Sequence, residues 1–388
     1  MNSPPFCYFD CNATTRVAPE VLEAMLPFLR QQWGNPSSAY GFGRAVARRL
    51  DQARLKAAAL INADPREIVF TSGGTESNNA ALRGALAARP ECRHLVTTAV
   101  EHSSILKFAG LLQKQGCALT VLPVDSNGAL DLELLEKSLR PDTALVSAML
   151  ANNETGVLFP IAEVAALCRA KGVLCHTDAV QAAGKLRLDV KALGVDFLSL
   201  SAHKLRGPKG VGLLYVKRHT KFQPLLLGGG QERGRRGGTE NVPGIVAFGR
   251  AAELAMTDLE LQVTRVRALR DQLEEGILRG LPGVARNGAP EPRLPNTANL
   301  AFEGVEAEGL LLLLDQAGIC ASAGSACSSG ALDASHVLSA MGCSAARARG
   351  SIRFSLGLDN TAAEIEYLLQ CLPAIVARLR AQGRSQKG

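Results

Sequence analysis

Asp196-Phe197-Leu198-Ser199-Leu200-Ser201-Ala202-His203-Lys204-Leu205-Arg206-Gly207-Pro208-Lys209-Gly210 is the stretch from which the rest of the chain is read. It begins as an alternating apolar run, the period-2 pattern of a buried strand. It ends in a small polar cluster, and Gly207 and Pro208 then stop the strand. A lysine carried to the mouth of a sheet by such a strand loses hydration, and burial lowers its pKa from about 10.4. Lys204 is therefore a candidate amine nucleophile toward a carbonyl group. Taken alone, it is equally a surface lysine closing a strand.

Strands of the same kind stand on both sides of it. The spacing predicts strands near 67–71, 94–99, 118–123, 143–149, 173–178, 195–201 and 211–216, mostly short apolar runs of the sort covered on both faces. Helical stretches (78–88, 105–115, 132–139, 161–171) separate them, which is the signature of an α/β domain with a mostly parallel sheet. The short Gly/Pro loop before residue 211 predicts one antiparallel edge pair. Two helices precede this region, at 17–30 and about 43–61, after an opening, Cys7-Tyr8-Phe9-Asp10-Cys11-Asn12-Ala13-Thr14-Thr15, that reads as a short strand running into a polar turn. A long helical pattern from 246 to 281 leads into a second lobe. That lobe is read as a strand at 298–302, a helix at 308–316, a strand at 351–356 and a closing helix at 361–380. The division expected is a large domain over 15–255 and a small domain built from 1–14 and 256–388.

Composition narrows the function classes. The 388 residues suffice for two lobes, and with only 4 % aromatic residues the core must be aliphatic. The formal charge of +7 is scattered rather than bunched, so no dedicated nucleic-acid surface is expected. Ten cysteines occur without C-x-x-C or framework spacing, and nine of them stand mostly in apolar contexts typical of buried thiols. No leader pattern and no 18-residue apolar run is present, so a reducing, cytoplasmic setting and no membrane are expected.

In doubly wound sheets, ligands sit outside the carboxyl ends of the strands. Four of those ends carry suggestive residues. Thr71-Ser72-Gly73-Gly74-Thr75-Glu76-Ser77-Asn78 opens a helix with glycines and free N–H groups, a seat for phosphate or simply a helix start. Asp178, in His176-Thr177-Asp178, could pair with a protonated ring nitrogen or cap the next helix. His102 could stack on a ring or cap a helix. Asn152-Asn153 could bind a ring hydroxyl or a carboxylate, or form Asx turns. Together with Lys204, these are the components of a pyridoxal phosphate site. Outside the sheet, Cys327 lies in a Ser/Ala/Gly loop that favours an exposed, mobile thiol. Arg353 stands in an apolar strand and needs a partner, either a substrate carboxylate held bidentately or a structural ion pair.

At this point the chain resembles the class V aminotransferase-like cysteine desulfurases of the NifS/IscS group. The likeness is carried by Ser201-Ala202-His203-Lys204, Thr71 to Asn78, Asn152-Asn153-Glu154-Thr155-Gly156, and His176-x-Asp178-x-x-Gln181. It is also carried by Gly228-Gly229-Gly230-Gln231-Glu232-Arg233-Gly234-Arg235-Arg236-Gly237-Gly238-Thr239, Ser322 to Ser329, and Ser351 to Gly357. The resemblance implies a fold-type I pyridoxal 5'-phosphate enzyme: a seven-stranded mostly parallel sheet with a smaller α+β domain, acting as a homodimer. Its implied reaction takes sulfur from L-cysteine, releases L-alanine and passes sulfur to an acceptor such as an iron–sulfur scaffold protein. Lys204 is implied to hold the cofactor as a Schiff base, Asp178 the ring nitrogen and Gln181 the ring oxygen, with His102 stacked on the ring. Gly74, Thr75, Ser201 and His203 are implied at the phosphate, with Thr239 supplied by the other subunit. Asn153 and Arg353 would hold the substrate carboxylate. Cys327 would become the persulfide, and it is also the candidate for a transient iron–sulfur ligand. Gly74 departs from the alanine or cysteine common at that place. The chain stops soon after the last helix, as NifS-type members do, which tilts the reading toward nitrogen fixation. The alternatives are a selenocysteine lyase or β-lyase of the same fold, for which Cys327 would be dispensable, and a non-catalytic iron–sulfur scaffold.

Overall fold

A computed structural model describes residues 5–323 and 334–385. Its strands in chain order are β1 Cys7–Tyr8, β2 Ile68–Thr71, β3 His94–Thr98, β4 Ala118–Leu122, β5 Thr143–Ser147, β6 Leu174–Asp178, β7 Phe197–Ser201, β8 Gly212–Val216, β9 Val284–Arg286, β10 Thr297–Phe302, β11 Ile319–Cys320 and β12 Ser351–Ser355. Seven of them form one sheet in the order β2-β8-β7-β6-β5-β3-β4. All the expected strands of this sheet form, within a residue or two of the expected bounds. β8 is antiparallel to both β7 and β2, while the remaining neighbours pair in parallel.

The expected antiparallel edge pair is thus half right. β8 turns back after the Gly207–Gly210 loop, but β2 takes the edge beside it, so β8 is an inner strand. One glycine makes that pairing possible. A Cβ on Gly212 would lie 2.6 Å from the backbone of Gly73, so β8 packs directly under the turn that follows β2.

Apart from the half-exposed edge strand β4, the sheet is buried on both faces, as its apolar runs require. One core joins Phe70, Val146, Leu198 and Leu213 to helices Pro19–Arg30, Gly41–Leu60 and Val242–Thr257. The other joins Val69, Leu95, Leu145 and Leu214 to helices Gly74–Ala88 and Ser103–Lys114. A separate cluster holds Phe9, Leu273, Ile277, Leu300, Phe354, Leu368 and Leu372. It surrounds the three-stranded antiparallel sheet β12-β10-β9, with the parallel pair β1-β11 alongside. β9 and β11 were not expected, because segments of three and two residues are too short to show a period.

The long helical pattern from 246 to 281 is not one straight helix. Val242–Thr257 ends at Asp258, a π-helical turn occupies Gln262–Val266, and Arg267–Gly280 completes the run. Such π turns insert a residue into the ladder and re-aim the helix that follows. The Gly-rich segment after β8 is pinned by a buried pair. Arg54 donates from Nη1 and Nη2 to Glu232 at 2.8 and 2.7 Å, and Phe70 N donates to Glu232 Oε2 at 2.9 Å. Glu232 and Arg233 hold left-handed backbone, with φ of 46° and 58°.

Candidate active site

Several of the residues singled out in the sequence sit at the carboxyl ends of the large sheet's strands. Asp178 ends β6 and Ser201 ends β7. Lys204 follows on a single 3-10 turn, Ala202–Lys204. The helix Gly74–Ala88 follows β2 after a two-residue turn. Its N-cap is Gly73, at φ 157° and ψ −178°, a region open essentially to glycine. No side chain caps this helix start, so its first N–H groups face outward as donors to an anion. Ser201 Oγ lies 3.9 Å from where a Cβ on Gly73 would stand, and Ser201 Cβ 3.7 Å from one on Gly74. The ends of β2 and β7 therefore converge on one small-residue cradle. A Cβ on Gly74 would meet Val180 Cγ2 at 2.9 Å, which gives this chain a local reason for glycine at that place.

Asp178 is buried and held from two sides. Val180 N donates to its Oδ1 at 2.9 Å and Asn78 Nδ2 to its Oδ2 at 2.7 Å. The same Asn78 nitrogen donates to Ser104 Oγ at 2.9 Å, which in turn shares a hydrogen bond with His102 Nδ1 at 2.8 Å. His102 caps the helix Ser103–Lys114, so the capping reading is correct, and the bonds at Nδ1 also fix the plane of the ring. Burial and the charge of Lys204 hold His102 below the usual imidazole range, against the pull of Asp178. His203 is pushed down to about 4, first by burial and then by Lys204 and Lys209. Both rings are neutral near pH 7, each with a single N–H to donate.

Lys204 Nζ donates to the carbonyl of Ala13 at 2.6 Å and to that of Asn12. Gln181 Nε2 donates to the same Asn12 carbonyl at 2.9 Å. The N-terminal strap 10–15 is thus stitched across the sheet mouth. Thr15 N and Thr15 Oγ1 both donate to the His203 carbonyl, at 3.0 and 2.9 Å. Asn12 is the hub of the strap. Its side chain donates to Thr297 Oγ1 at 2.9 Å and to the Asn153 carbonyl at 3.2 Å, and accepts from Lys185 Nζ at 3.0 Å and Asn296 Nδ2 at 3.1 Å.

Arg353 is only 3 % exposed. Its Nη1 donates to the Asn153 carbonyl at 3.1 Å and its Nη2 to Asp10 Oδ1 at 2.6 Å, while Nε has no hydrogen-bond partner among the described residues. The ion-pair reading therefore holds for one nitrogen, and the guanidinium keeps unused donor capacity. Thr239 is exposed on the Gly-rich segment, and no described contact joins it to Gly74, Thr75, Ser201 or His203. That segment does reach the cradle through Arg236, whose Nε donates to Glu76 Oε1 at 2.9 Å while Ser72 N donates to Glu76 Oε2 at 2.8 Å. Cys327 lies outside the described residues. Of the nine other cysteines, Cys7, Cys11, Cys168 and Cys175 are buried and five are half-buried, so the expectation of buried thiols holds for fewer than half.

The cofactor named from the sequence fits this arrangement. An uncapped helix start over a glycine cradle suits a dianionic phosphate. A buried, doubly hydrogen-bonded carboxylate suits a protonated ring nitrogen, and a fixed neutral imidazole suits a flat ring. Asn12, Asn78, Ser104, Lys185 and Gly212 belong to the same constellation and were not singled out from the sequence. Asn12 was visible only as part of a polar turn, and Lys185 only as one lysine following a strand.

Glu101, beside His102, is fully buried. Its Oε1 accepts from Thr98 Oγ1 and Met149 N, both at 2.8 Å, and its Oε2 has no partner among the described residues. Burial pushes its carboxyl from 4.5 up to about 8. Between those values the folded protein keeps a proton that the unfolded chain releases, so this group makes stability fall as pH rises from 4.5 to 8. Glu101→Gln is expected to flatten that fall by roughly 1.4 kcal/mol per pH unit within the window, read from denaturant titrations of both proteins.

A seven-stranded α/β sheet with a lysine, a carboxylate and an anion cradle at its carboxyl edge defines the class of fold-type I enzymes. The chain belongs to the aminotransferase class-V family, whose model matches residues 7–368. It is 54 % identical over 374 residues to cysteine desulfurase 2 of Trichormus variabilis, covering 96 % of this chain and 94 % of that one. It is 51 % identical over 374 residues to cysteine desulfurase NifS of Azotobacter vinelandii, covering 96 % and 93 %. Among solved structures, a NifS-like protein matches with a TM-score of 0.91 at 40 % identity, covering 96 % of this chain and all of the other. DndA from Streptomyces lividans matches with a TM-score of 0.76 at 36 % identity, covering 88 % and 97 %.

Proposed function

We propose that the protein is a pyridoxal-phosphate-dependent cysteine desulfurase that moves the sulfur of L-cysteine onto Cys327 and releases L-alanine. The observation that carries this reading is the convergence of Lys204, Asp178, His102 and the uncapped Gly74 helix start at one sheet edge. Sequence identity above one half to a chain named cysteine desulfurase supports the substrate.

When bound, the cofactor supplies an electron sink for the substrate carbon. Lys204 would hold it covalently, Asp178 would keep its ring nitrogen protonated, and Gln181 would donate to its ring oxygen. Gly74, Thr75, Ser201 and His203 would hold its phosphate, with Thr239 from a second copy completing the site in a homodimer. Arg353 and Asn153 would bind the substrate carboxylate, for which the unpartnered Nε of Arg353 leaves a donor. The Cys327 thiolate would attack the substrate sulfur. An S–S bond forms, the C–S bond breaks with its electrons left on carbon, and that carbon takes a proton to give alanine. An acceptor thiol then takes the outer sulfur, in this reading for iron–sulfur assembly, including that of nitrogen fixation, in the cytoplasm. The lobe division at about residue 255 goes with this reading, because the cluster around Phe9, Leu273 and Phe354 draws on both termini and not on the large sheet. No helix among the described residues is long and apolar enough to cross a membrane.

The test is reconstitution with pyridoxal phosphate followed by L-cysteine and a dithiol. Alanine and sulfide in equal amounts are expected. A yellow protein that yields pyruvate instead of alanine would move the assignment to a β-lyase, and selenocysteine turnover with no cysteine turnover would move it to a selenocysteine lyase.

A further inference from the structure

Lys185 is a buried cation that the proposed reaction does not use. It is 5 % exposed and follows β6 by seven residues, in the turn region Ala183–Leu186. Its Nζ donates to Gln181 Oε1 at 2.9 Å and to Asn12 Oδ1 at 3.0 Å. Each contact settles an amide. With Oε1 of Gln181 facing the ammonium, its Nε2 must face the other way, where it meets the Asn12 carbonyl at 2.9 Å. With Oδ1 of Asn12 facing the same ammonium, its Nδ2 must face Thr297 and Asn153. While protonated the Lys185 amine can only donate, so neither amide can then turn over without setting donor against donor. The Asn12 carbonyl that Gln181 reaches also accepts from Lys204. A continuous chain of hydrogen bonds therefore runs from Lys185 through Gln181 and Asn12 to the amine of Lys204.

We propose that Lys185 is a positioning residue, which locks the amides of Gln181 and Asn12 so that Gln181 presents its N–H to the cofactor ring oxygen beside Lys204. The inference rests on the function proposed above and adds to it the group that orients Gln181.

The charge of Lys185 acts in the same place. The groups facing it are Lys204 from the turn after β7, Cys11 from the N-terminal strap and Arg353 from β12. Burial, then Lys204, then Arg353 draw its pKa down to about 7, so a full or partial positive charge stands behind the site at neutral pH. Lys185 and Lys204 both line a cavity of about 590 Å³ that Cys11, Asp359 and Glu364 also border. A positive charge near Lys204 disfavours the protonated form of the lysine-bound cofactor. Its removal should therefore raise the pH at which the yellow protonated form is lost.

The experiment compares wild type, Lys185→Met, Gln181→Ala and the double variant as apoproteins titrated with pyridoxal phosphate, then as loaded proteins titrated with pH. Lys185→Met is expected to weaken cofactor binding about tenfold and to raise the spectroscopic midpoint by about one pH unit. In the Gln181→Ala background the same substitution should change affinity by less than about threefold, because the amide it orients is gone. Unchanged affinity and midpoint in Lys185→Met, or losses that multiply in the double variant, would overturn the proposal. Should the methionine variant not fold, Lys185→Gln, which can still donate to Gln181 without the charge, takes its place. It is expected to keep near wild-type affinity while the midpoint still rises, and a tenfold affinity loss in a folded Lys185→Gln protein would count against the proposal. If wild type itself takes up no cofactor, the functional reading fails, and that outcome is separate from the comparison among variants.

Discussion

Lys204→Ala is expected to lower L-cysteine turnover by about ten-thousand-fold or more, with the fold intact. The side chain is half-buried. Its amine donates to two main-chain carbonyls of the strap, and those can turn to water when it is gone. What disappears is the amine carried by the turn after β7, whose charge acts on His102. Borohydride reduction of the loaded wild type, followed by peptide mapping, checks the assignment directly, with label expected on the peptide holding residue 204. Lys185 is the informative rival. A lowered amine pKa is the usual mark of a reactive lysine, and burial gives Lys185 that mark. Its ammonium is already committed to two amide oxygens, and it sits behind Gln181 rather than beside Asp178. Label on Lys185 instead of Lys204 would show that the pKa outweighs geometry here and would sink the proposed chemistry.

The contrast between these two lysines also shows what a sequence can and cannot reveal. Lys204 was legible because a strand pattern runs into it and then breaks at Gly207-Pro208, so its place at the sheet mouth follows from local period alone. Asp178 and Ser201 were legible for the same reason, each ending an apolar run. Asn12, Asn78 and Lys185 were not, because their roles rest on pairings between distant parts of the chain. Asn12 meets Thr297, Asn296 and Lys185, and Asn78 reaches Asp178 one hundred residues on. No spacing rule carries such contacts. Strand β8 marks the same limit in the fold. Its reversal is written in the Gly/Pro loop before it, but its inner position is set by β2 pairing on its far side. The π turn at Gln262–Val266 hides equally well, since one extra residue per turn barely disturbs an apolar period over so long a helix.

Cys327→Ala should separate cofactor capture from sulfur transfer more sharply than any other change. The apoprotein is expected to bind pyridoxal phosphate with unaltered affinity and to show the wild-type spectrum, while alanine release from L-cysteine falls by about a thousandfold or more. The physical ground lies in what flanks residues 324–333. On one side, Ser322 pairs with Arg353: Arg353 N donates to the Ser322 carbonyl at 2.7 Å and Ser322 N to the Arg353 carbonyl at 3.2 Å. On the other side, Ser335 Oγ donates to the buried Glu154 at 2.5 Å, and His336 Nε2 bonds the carbonyl of Glu101 at 2.9 Å. Glu154 adjoins Asn153, and Glu101 adjoins His102. The residues flanking the segment are therefore bonded to elements that carry the site, Ser322 to the main chain of Arg353 and Ser335 and His336 to the turns holding Asn153 and His102. Mass analysis of the wild type after one round with L-cysteine should show one added sulfur on the peptide containing residue 327, and no added sulfur in the alanine variant. A variant that still released alanine at the wild-type rate would mean that the thiol is not the acceptor. The same fold would then be running a lyase reaction in which sulfur leaves without passing through the protein.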